Sequence, residues 1–446
     1  MKLSTTLPAV FVLLVSLSFG NDKSSDYSKY WHQWRGPDGT GVAPHGDPPV
    51  EWDASKNIRW TVEIPGEGHA TPIVWDDKIF VLTAVDTGKT VEAPKEEPTG
   101  GRRRRRPPAK PTNQYKFVIM AIERMSGKIL WEKTACEALP HEGKHRDSSW
   151  ASNSPITDGE RLYAYFGSRG LYCYNMQGKL LWKNDFGDMT VARSFGEGNS
   201  PAIHGDTIVV VWDHEGDSFI VALDKRTGKK RWRKDRDEST SWSTPLIIEH
   251  DGKPQVITSA TNRVRSYDLA IGTVIWECGG LTRNVIPSPV YRDGTVYVMS
   301  GFRGSALLAI RLDMAKKDIT DSENAIAWKY NKNTPYVPSP LLYGDELYFF
   351  QVNNAALSCL DVESGKANYS REALEGVRGI YASPVGAKGR VYLAGRNGVV
   401  KVIKQGPEYE VLASNALDDS FNASPAIVGN ELYLRGIKTL YCIAEE

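Results

Sequence analysis

The residues able to do chemistry gather in a few short stretches. HEGKH (141–145) matches H-E-x-x-H, a spacing that on a helix turns two imidazoles to one face for zinc and leaves the glutamate as a base. Pro140 precedes it and Gly143 sits inside it, so a helix is disfavoured and a strand-connecting loop is expected. His141 and His145 are then candidates for a loop metal site, not for a protease centre. DHEGD (213–217) is acidic but lacks the alternating ligands and distal glutamate of a calcium-binding loop, and reads as a turn. No nucleophile-elbow serine, P-loop or dinucleotide fingerprint occurs in the right context.

GGRRRRRPPAK (100–110) is the strongest charge signal. Residues 92–113 hold seven Lys/Arg against three Glu, while the whole chain has a formal net charge of +1. The basicity therefore belongs to one segment, and a nucleic-acid-binding chain, basic across a whole domain, is not indicated. The segment 86–113 is rich in Pro, Gly, Glu, Lys and Arg and is expected to be a disordered basic insertion. Arg102 to Arg106 would offer peripheral contact with anionic surfaces.

At the N-terminus, Lys2, an apolar run over 9–19, and small Ser18 and Gly20 read as a signal peptide over 1–20. An N-terminal extension over 21–56 follows. No later run is long and apolar enough for a membrane span, so a periplasmic or secreted protein is expected. Five cysteines occur without a CxxC or an adjacent pair, and the odd count leaves at least one thiol free or pairing between chains.

The elements that must position these residues announce themselves as a repeat. A small residue, Ser or Thr, Pro, an apolar residue, a turn and a β-rich run recur, as in ATPIVWDDKIFVL (70–82), NSPAIHGDTIVVV (199–211) and ASPAIVGNELYLR (423–435). The prolines are Pro72, Pro155, Pro201, Pro245, Pro289, Pro340, Pro384 and Pro425, spaced 41 to 51 residues apart after the first interval. Each phrase is followed by an alternating strand, Gly-Lys or similar, and an aromatic, as in GLYCYNMQGKLLW (170–182). Four period-2 strands in such a unit are the size of a propeller blade. The spacing predicts an all-β, eight-bladed β-propeller over 57–446.

Blade-ending aromatics are Trp131, Trp182, Trp232, Trp276, Trp328 and Tyr369, with Tyr409 the substitute in blade seven. Blade eight stops after three strands. NIRWTVEI (57–64) has the pattern of an orphan outer strand, with Trp60 in the aromatic slot, so the N-terminal strand should complete the last blade and leave no exposed edge. Third strands align a small-residue slot through Ala121, Cys173, Ala222, Ser266, Ala309, Cys359, Val402 and Cys442, which makes these thiols packing residues.

These repeats resemble the pyrroloquinoline quinone (PQQ) repeat, which builds both the quinoprotein alcohol dehydrogenases and the cofactor-free outer-membrane assembly protein BamB. WHQWRGPDGTG (31–41), PHEGKH (140–145) and TPYVPSPLLYGD (334–345) look similar to an exported, planctomycete-type group of PQQ-like propellers. The resemblance implies the fold and leaves function open. The quinoprotein enzymes imply PQQ, a calcium ion held by a Glu-Asn-Asp set, a stacking Trp and a disulfide between adjacent cysteines. Here Trp242 could stack, and Glu197 and Asn199 could ligate calcium, but the Cys-Cys pair is missing and the set is incomplete.

In a propeller, equivalent loops of every blade converge at the axis. The residues just before each Ser/Thr-Pro should therefore line one funnel mouth: His69, Trp150, Asn153, Glu197, Asn199, Trp242, Arg283, Asn284, Tyr336, Arg378, Tyr381 and Asn422. Aromatics mixed with amides and guanidinium groups suit a small polar ligand, a sugar or a peptide. The expectation is a monomeric, non-catalytic binding or scaffolding protein with no cofactor, acting on an envelope protein, a peptide or a small polar ligand, and not on nucleic acid. The alternative is a PQQ- and calcium-dependent alcohol or sugar dehydrogenase.

Overall fold

Apolar runs such as Thr207–Trp212, buried at every position, need neighbours on both faces, whereas Lys230–Asp235 buries only its tryptophan. Stacking sheets face to face around an axis satisfies both patterns. The computed structural model describes residues 27–91 and 111–445 and shows eight antiparallel blades of four strands in a ring. Blade one runs outward through Ile73–Trp75, Lys78–Thr90, Asn113–Glu123 and Ile129–Ala138. Blade four carries a short fifth strand, Lys317–Asp318, parallel to its outer strand Val274–Cys278. Blade eight takes Ala426–Val428, Glu431–Arg435 and Thr439–Ile443 from the C-terminus and Ile58–Glu63 from the N-terminus. Trp60 pairs with Cys442 there, so the ring closes as expected.

Five of the blade-ending indoles are hydrogen-bonded to the next blade, while the ring N–H of the buried Trp276 has no partner among the described residues. Trp60 donates to the Arg124 carbonyl (2.9 Å), Trp131 to Met176 (3.2 Å), Trp182 to Lys225 (3.1 Å), Trp232 to Leu269 (2.8 Å) and Trp328 to Val362 (3.1 Å). The Gly of the Gly-Lys turn lies under that ring. At Gly127, φ is +72° and a β-carbon would stand 2.8 Å from the Trp60 indole, so only glycine fits. The small third-strand slot faces the aromatic: Cys173 pairs with Trp182, Cys359 with Tyr369 and Cys442 with Trp60. All five cysteines are free thiols, and burial pushes Cys173, Cys359 and Cys442 up to about 12. These three occupy packing slots, and burial disfavours the reactive thiolate there.

Blade seven departs from the expectation. Its outer strand is Val411–Ala416, and Val402 faces Ala413. Tyr409 precedes that strand and meets Tyr369 edge-on at 5.7 Å, so it does not fill the aromatic slot. Trp52 of the N-terminal extension covers the second-strand Tyr392 instead, stacked at 6.4 Å, and is 3% exposed. Its segment is tied down by Asn415, which accepts from the Trp52 N–H and donates to the Val50 carbonyl.

The Ser/Thr of each Ser/Thr-Pro phrase forms a ring around the axis. The Thr71 N–H donates to Ser154 Oγ, Ser154 to Ser200, Ser200 to Thr244, Thr244 to Ser288, Ser288 to Ser339, Ser339 to Ser383 and Ser383 to Ser424, all within 2.8–3.0 Å. Thr71 Oγ1 itself is buried without a partner among the described residues.

Residues 31–42 thread the axial channel. Trp31 bridges Val74 and Val42 bridges Gly386, covering inner-strand edges. Arg35 is buried and donates to the carbonyls of Pro340 (2.5 Å) and Pro384 (2.6 Å), clamping blades six and seven. Of the expected insertion over 86–113, residues 92–110 lie outside the described residues. Asp86 pairs with Tyr115 and Thr90 with Asn113, so its ends belong to an extended hairpin. The signal peptide over 1–20 and the Arg102–Arg106 run lie outside the described residues. Among those described, no helix is long and apolar enough to cross a membrane.

Candidate functional site

The loops that enter the inner strands meet the hairpins that leave the second strands at one end of the ring, because both lie at the same end of each blade. They enclose an axial cavity of about 500 Å³. Trp34, from the channel-threading segment, lines its base and also lines a second cavity of about 790 Å³ at the opposite end, bounded by blades two to five. The funnel is thus stoppered from within by the chain's own N-terminal segment.

One wall is a connected polar network. Arg396 donates to Asp147 (2.8 Å) and to Asn422 Oδ1 (3.0 Å), and its guanidinium lies 4.2 Å from the Tyr381 ring centre. Tyr381 OH donates to Asp147 at 3.2 Å. Burial pushes the Asp147 carboxyl up, but the hydrogen bond and charge of Arg396 outweigh it and leave it below the usual range. With its oxygen committed to Arg396, Asn422 turns its amide nitrogen to His69 Nε2 at 3.2 Å, which makes that nitrogen an acceptor. Burial, with Arg435, Lys144 and Arg396 nearby, pushes the His69 imidazole down to about 3. His69 is therefore a neutral, oriented ring.

The facing wall is aromatic. Phe302 stacks on Tyr336 at 4.8 Å, Arg303 lies 5.3 Å from the Phe302 ring centre, and Trp242 donates to the Gly196 carbonyl at 2.6 Å. Phe195 and Arg193 complete it.

The expected mouth residues divide. His69, Glu197, Trp242, Tyr336, Tyr381 and Asn422 line the cavity. Asn284 stands behind the wall, hydrogen-bonded to Tyr336. Arg283 and Arg378 are exposed on the rim. Trp150 lies between Tyr115 and Lys144 on the seam of blades one and two. Asn153 and Asn199 point into the frame: Asn153 donates to the Asn199 carbonyl and Asn199 to the Val211 carbonyl. Glu197 accepts from Ser168 N–H (2.6 Å) and Ser168 Oγ (2.5 Å), and burial raises its carboxyl. Sequence reasoning missed Trp34, Asp147, Arg193, Phe195, Phe302, Arg303 and Arg396. The signal for two of them was an arginine set between glycines in a second-to-third-strand hairpin, GFRG (301–304) and GRNG (395–398).

HEGKH forms a loop, as expected, and its histidines part company. His141 Nε2 meets the Met189 carbonyl at 2.6 Å, while His145 packs edge-on against Phe195 in the funnel wall. Among the described residues, neither belongs to a cluster of three His, Cys, Asp or Glu ligand atoms. DHEGD is a turn that braces blades three and four. Asp213 holds the fully buried Arg236 through both oxygens (2.6 and 3.0 Å), and Glu215 accepts from Thr240.

A family profile described as "Outer membrane protein assembly factor BamB" matches residues 116–371 and 251–446. Similar solved structures include BamB from Moraxella catarrhalis, with a TM-score of 0.58 and 11% identity over 86% of this chain and 96% of that one. The computationally designed Ika8 protein has a TM-score of 0.53 and 12% identity over 74% and 92%. Quinohemoprotein alcohol dehydrogenase from Comamonas testosteroni has a TM-score of 0.51 and 11% identity over 96% and 83%. At these identities the likeness is one of fold. No curated protein matches the chain.

Proposed function

Since the chain belongs to the BamB family of PQQ-repeat propellers, we propose that it is a non-catalytic binding or scaffolding protein of the cell envelope, exported to the periplasm or beyond. Its recognition site in this reading is the funnel. The observation that carries the reading is the way the funnel's side chains are held by one another. Arg396, Asp147, Asn422 and His69 form a chain of hydrogen bonds that orients donors and acceptors before any ligand arrives. Preorganised polar groups beside aromatic walls in a cavity closed at its base suit a compact polar ligand or the end of a partner chain. The Arg102–Arg106 segment adds a contact for anionic envelope surfaces.

The quinoprotein reading fits less well. A calcium ion beside PQQ needs converging oxygen ligands. Here Glu197 is committed to Ser168, and the Asn199 amide donates to a backbone carbonyl outside the cavity lining. No step through PQQ or calcium is therefore derived.

The two readings separate in one titration. Purified protein is mixed with PQQ and calcium while absorbance and dye-linked oxidation of alcohols and sugars are followed. The expected result is neither stoichiometric binding nor turnover. Tight binding with turnover would overturn the proposal.

A further inference from the structure

Besides Arg283 and Arg378 on the rim, two arginines that line the cavity itself have no ion-pair partner among the described residues. Arg193, from the connection between blades two and three, and Arg303, from blade five, line the cavity, both exposed, and neither has a carboxylate within ion-pair distance among the described residues. Both also hold left-handed backbone, with φ of 54° and 53°, which a non-glycine residue adopts at a cost. The cavity's two carboxylates are spent elsewhere: Asp147 on Arg396 and Tyr381, and Glu197 on Ser168. The wall that carries the two arginines is thus a cationic face with unfilled hydrogen-bonding capacity, and it is also the aromatic face, with Phe302, Tyr336, Phe195 and Trp242.

The main chain at the base of the funnel is not free to bind. The N–H groups of Ser154, Ser200 and Ser383 are taken by the hydroxyl of the next blade. An extended peptide adding to strand edges has no such groups to meet there. Recognition must come from side chains: guanidinium forks for an oxyanion, aromatic flanks for an apolar ring face, and the oriented Asn422, His69 and Tyr381 for hydroxyls. A sugar ring bearing a negative group presents all three.

We propose that the funnel binds an acidic carbohydrate, a uronate- or sulfate-bearing sugar, with Arg193 and Arg303 receiving the oxyanion and the Phe302–Tyr336 pair and Trp242 flanking the ring. The proposal rests on the funnel being the recognition site.

The test is calorimetric and fluorimetric titration of the full chain with a galacturonate trisaccharide, a sulfated disaccharide, neutral maltotriose and an acidic peptide. One or both acidic sugars should bind and alter tryptophan emission, and which of them does so distinguishes carboxylate from sulfate. Binding should weaken with added salt. R193Q/R303Q should weaken acidic-sugar binding tenfold or more, and W242A should weaken it independently of salt. Failure of both acidic sugars to bind, equal binding of maltotriose, or preference for the acidic peptide would overturn the proposal. If a ligand is lost in W242A but kept in R193Q/R303Q, the funnel stands and the charge assignment falls. If acidic-sugar binding survives in both variants, the site lies elsewhere and the funnel reading falls with it.

Discussion

Trp52 stacks on Tyr392 with ring centres 6.4 Å apart, giving blade seven the aromatic its own outer strand lacks. In blades two and five the partner of the second-strand tyrosine is the blade's own tryptophan: Tyr163 with Trp182 at 5.9 Å and Tyr297 with Trp328 at 5.7 Å. The N-terminal extension is therefore part of the ring's packing. Trp52→Ala should cost about 3–5 kcal/mol, as for other buried large-to-small changes. Tyr409→Ala, in the position where the aromatic was expected, should cost less. Urea unfolding of both variants checks this, and equal losses would contradict the assignment.

The hydroxyl ring gives a contrast between two chemically similar residues. Ser339 Oγ accepts the buried Ser288 N–H, so Ser339→Ala strands that donor and should cost about 1–3 kcal/mol. Thr71 Oγ1 has no partner among the described residues, so Thr71→Val should change stability by less than about 0.5 kcal/mol or raise it. A large loss in Thr71→Val would show that the open step of the ring is closed in solution.

What the sequence disclosed follows from periodicity. Eight prolines at near-constant spacing and an orphan Trp60 strand were enough for blade number and closure, because each repeat is one unit with a fixed place for each residue. The same logic placed Cys173, Cys359 and Cys442 in packing slots. It failed where the frame is crossed. Asn153 and Asn199 sit next to the mouth in sequence, but their side chains turn into the frame, and a linear stretch carries no mark of which way a loop residue faces. Arg396 and Arg303 enter from hairpins that are remote from the proline phrase. Trp52 and Trp34 act from an extension with no repeat of its own to align them.

The Asp213–Arg236 pair makes the acidic turn a structural brace. Both side chains are fully buried, and Arg236 also donates to Thr258 (3.0 Å) and Tyr267 (2.6 Å). Removing one partner leaves a buried charge without its counterion. Arg236→Met should therefore cost about 3–5 kcal/mol, and pairing it with Asp213→Leu should recover part of the loss. A double variant no better than the single would mean that the Thr258 and Tyr267 contacts, not the charge, dominate.

Acid should loosen the protein through His69 and His32. Both are pushed below an ordinary imidazole by burial, to about 3 and about 4. Well above the unfolded value of about 6.5, each ring is neutral folded and unfolded, so it contributes no pH dependence. As pH falls from there towards the folded values, the unfolded chain takes up protons that the folded chain refuses. Stability then declines with falling pH. The urea midpoint of the wild type should fall between pH 7 and pH 4.5, and His69→Asn should fall less over the same interval. Equal slopes would contradict the buried neutral state. The ring's carbon shifts should likewise stay those of neutral imidazole at pH 5. This matters for the funnel because His69 Nε2 receives the Asn422 amide, and a proton there would replace an acceptor with a donor. A ring that resists protonation keeps Asn422, and through it Arg396, in one orientation down to mildly acidic pH.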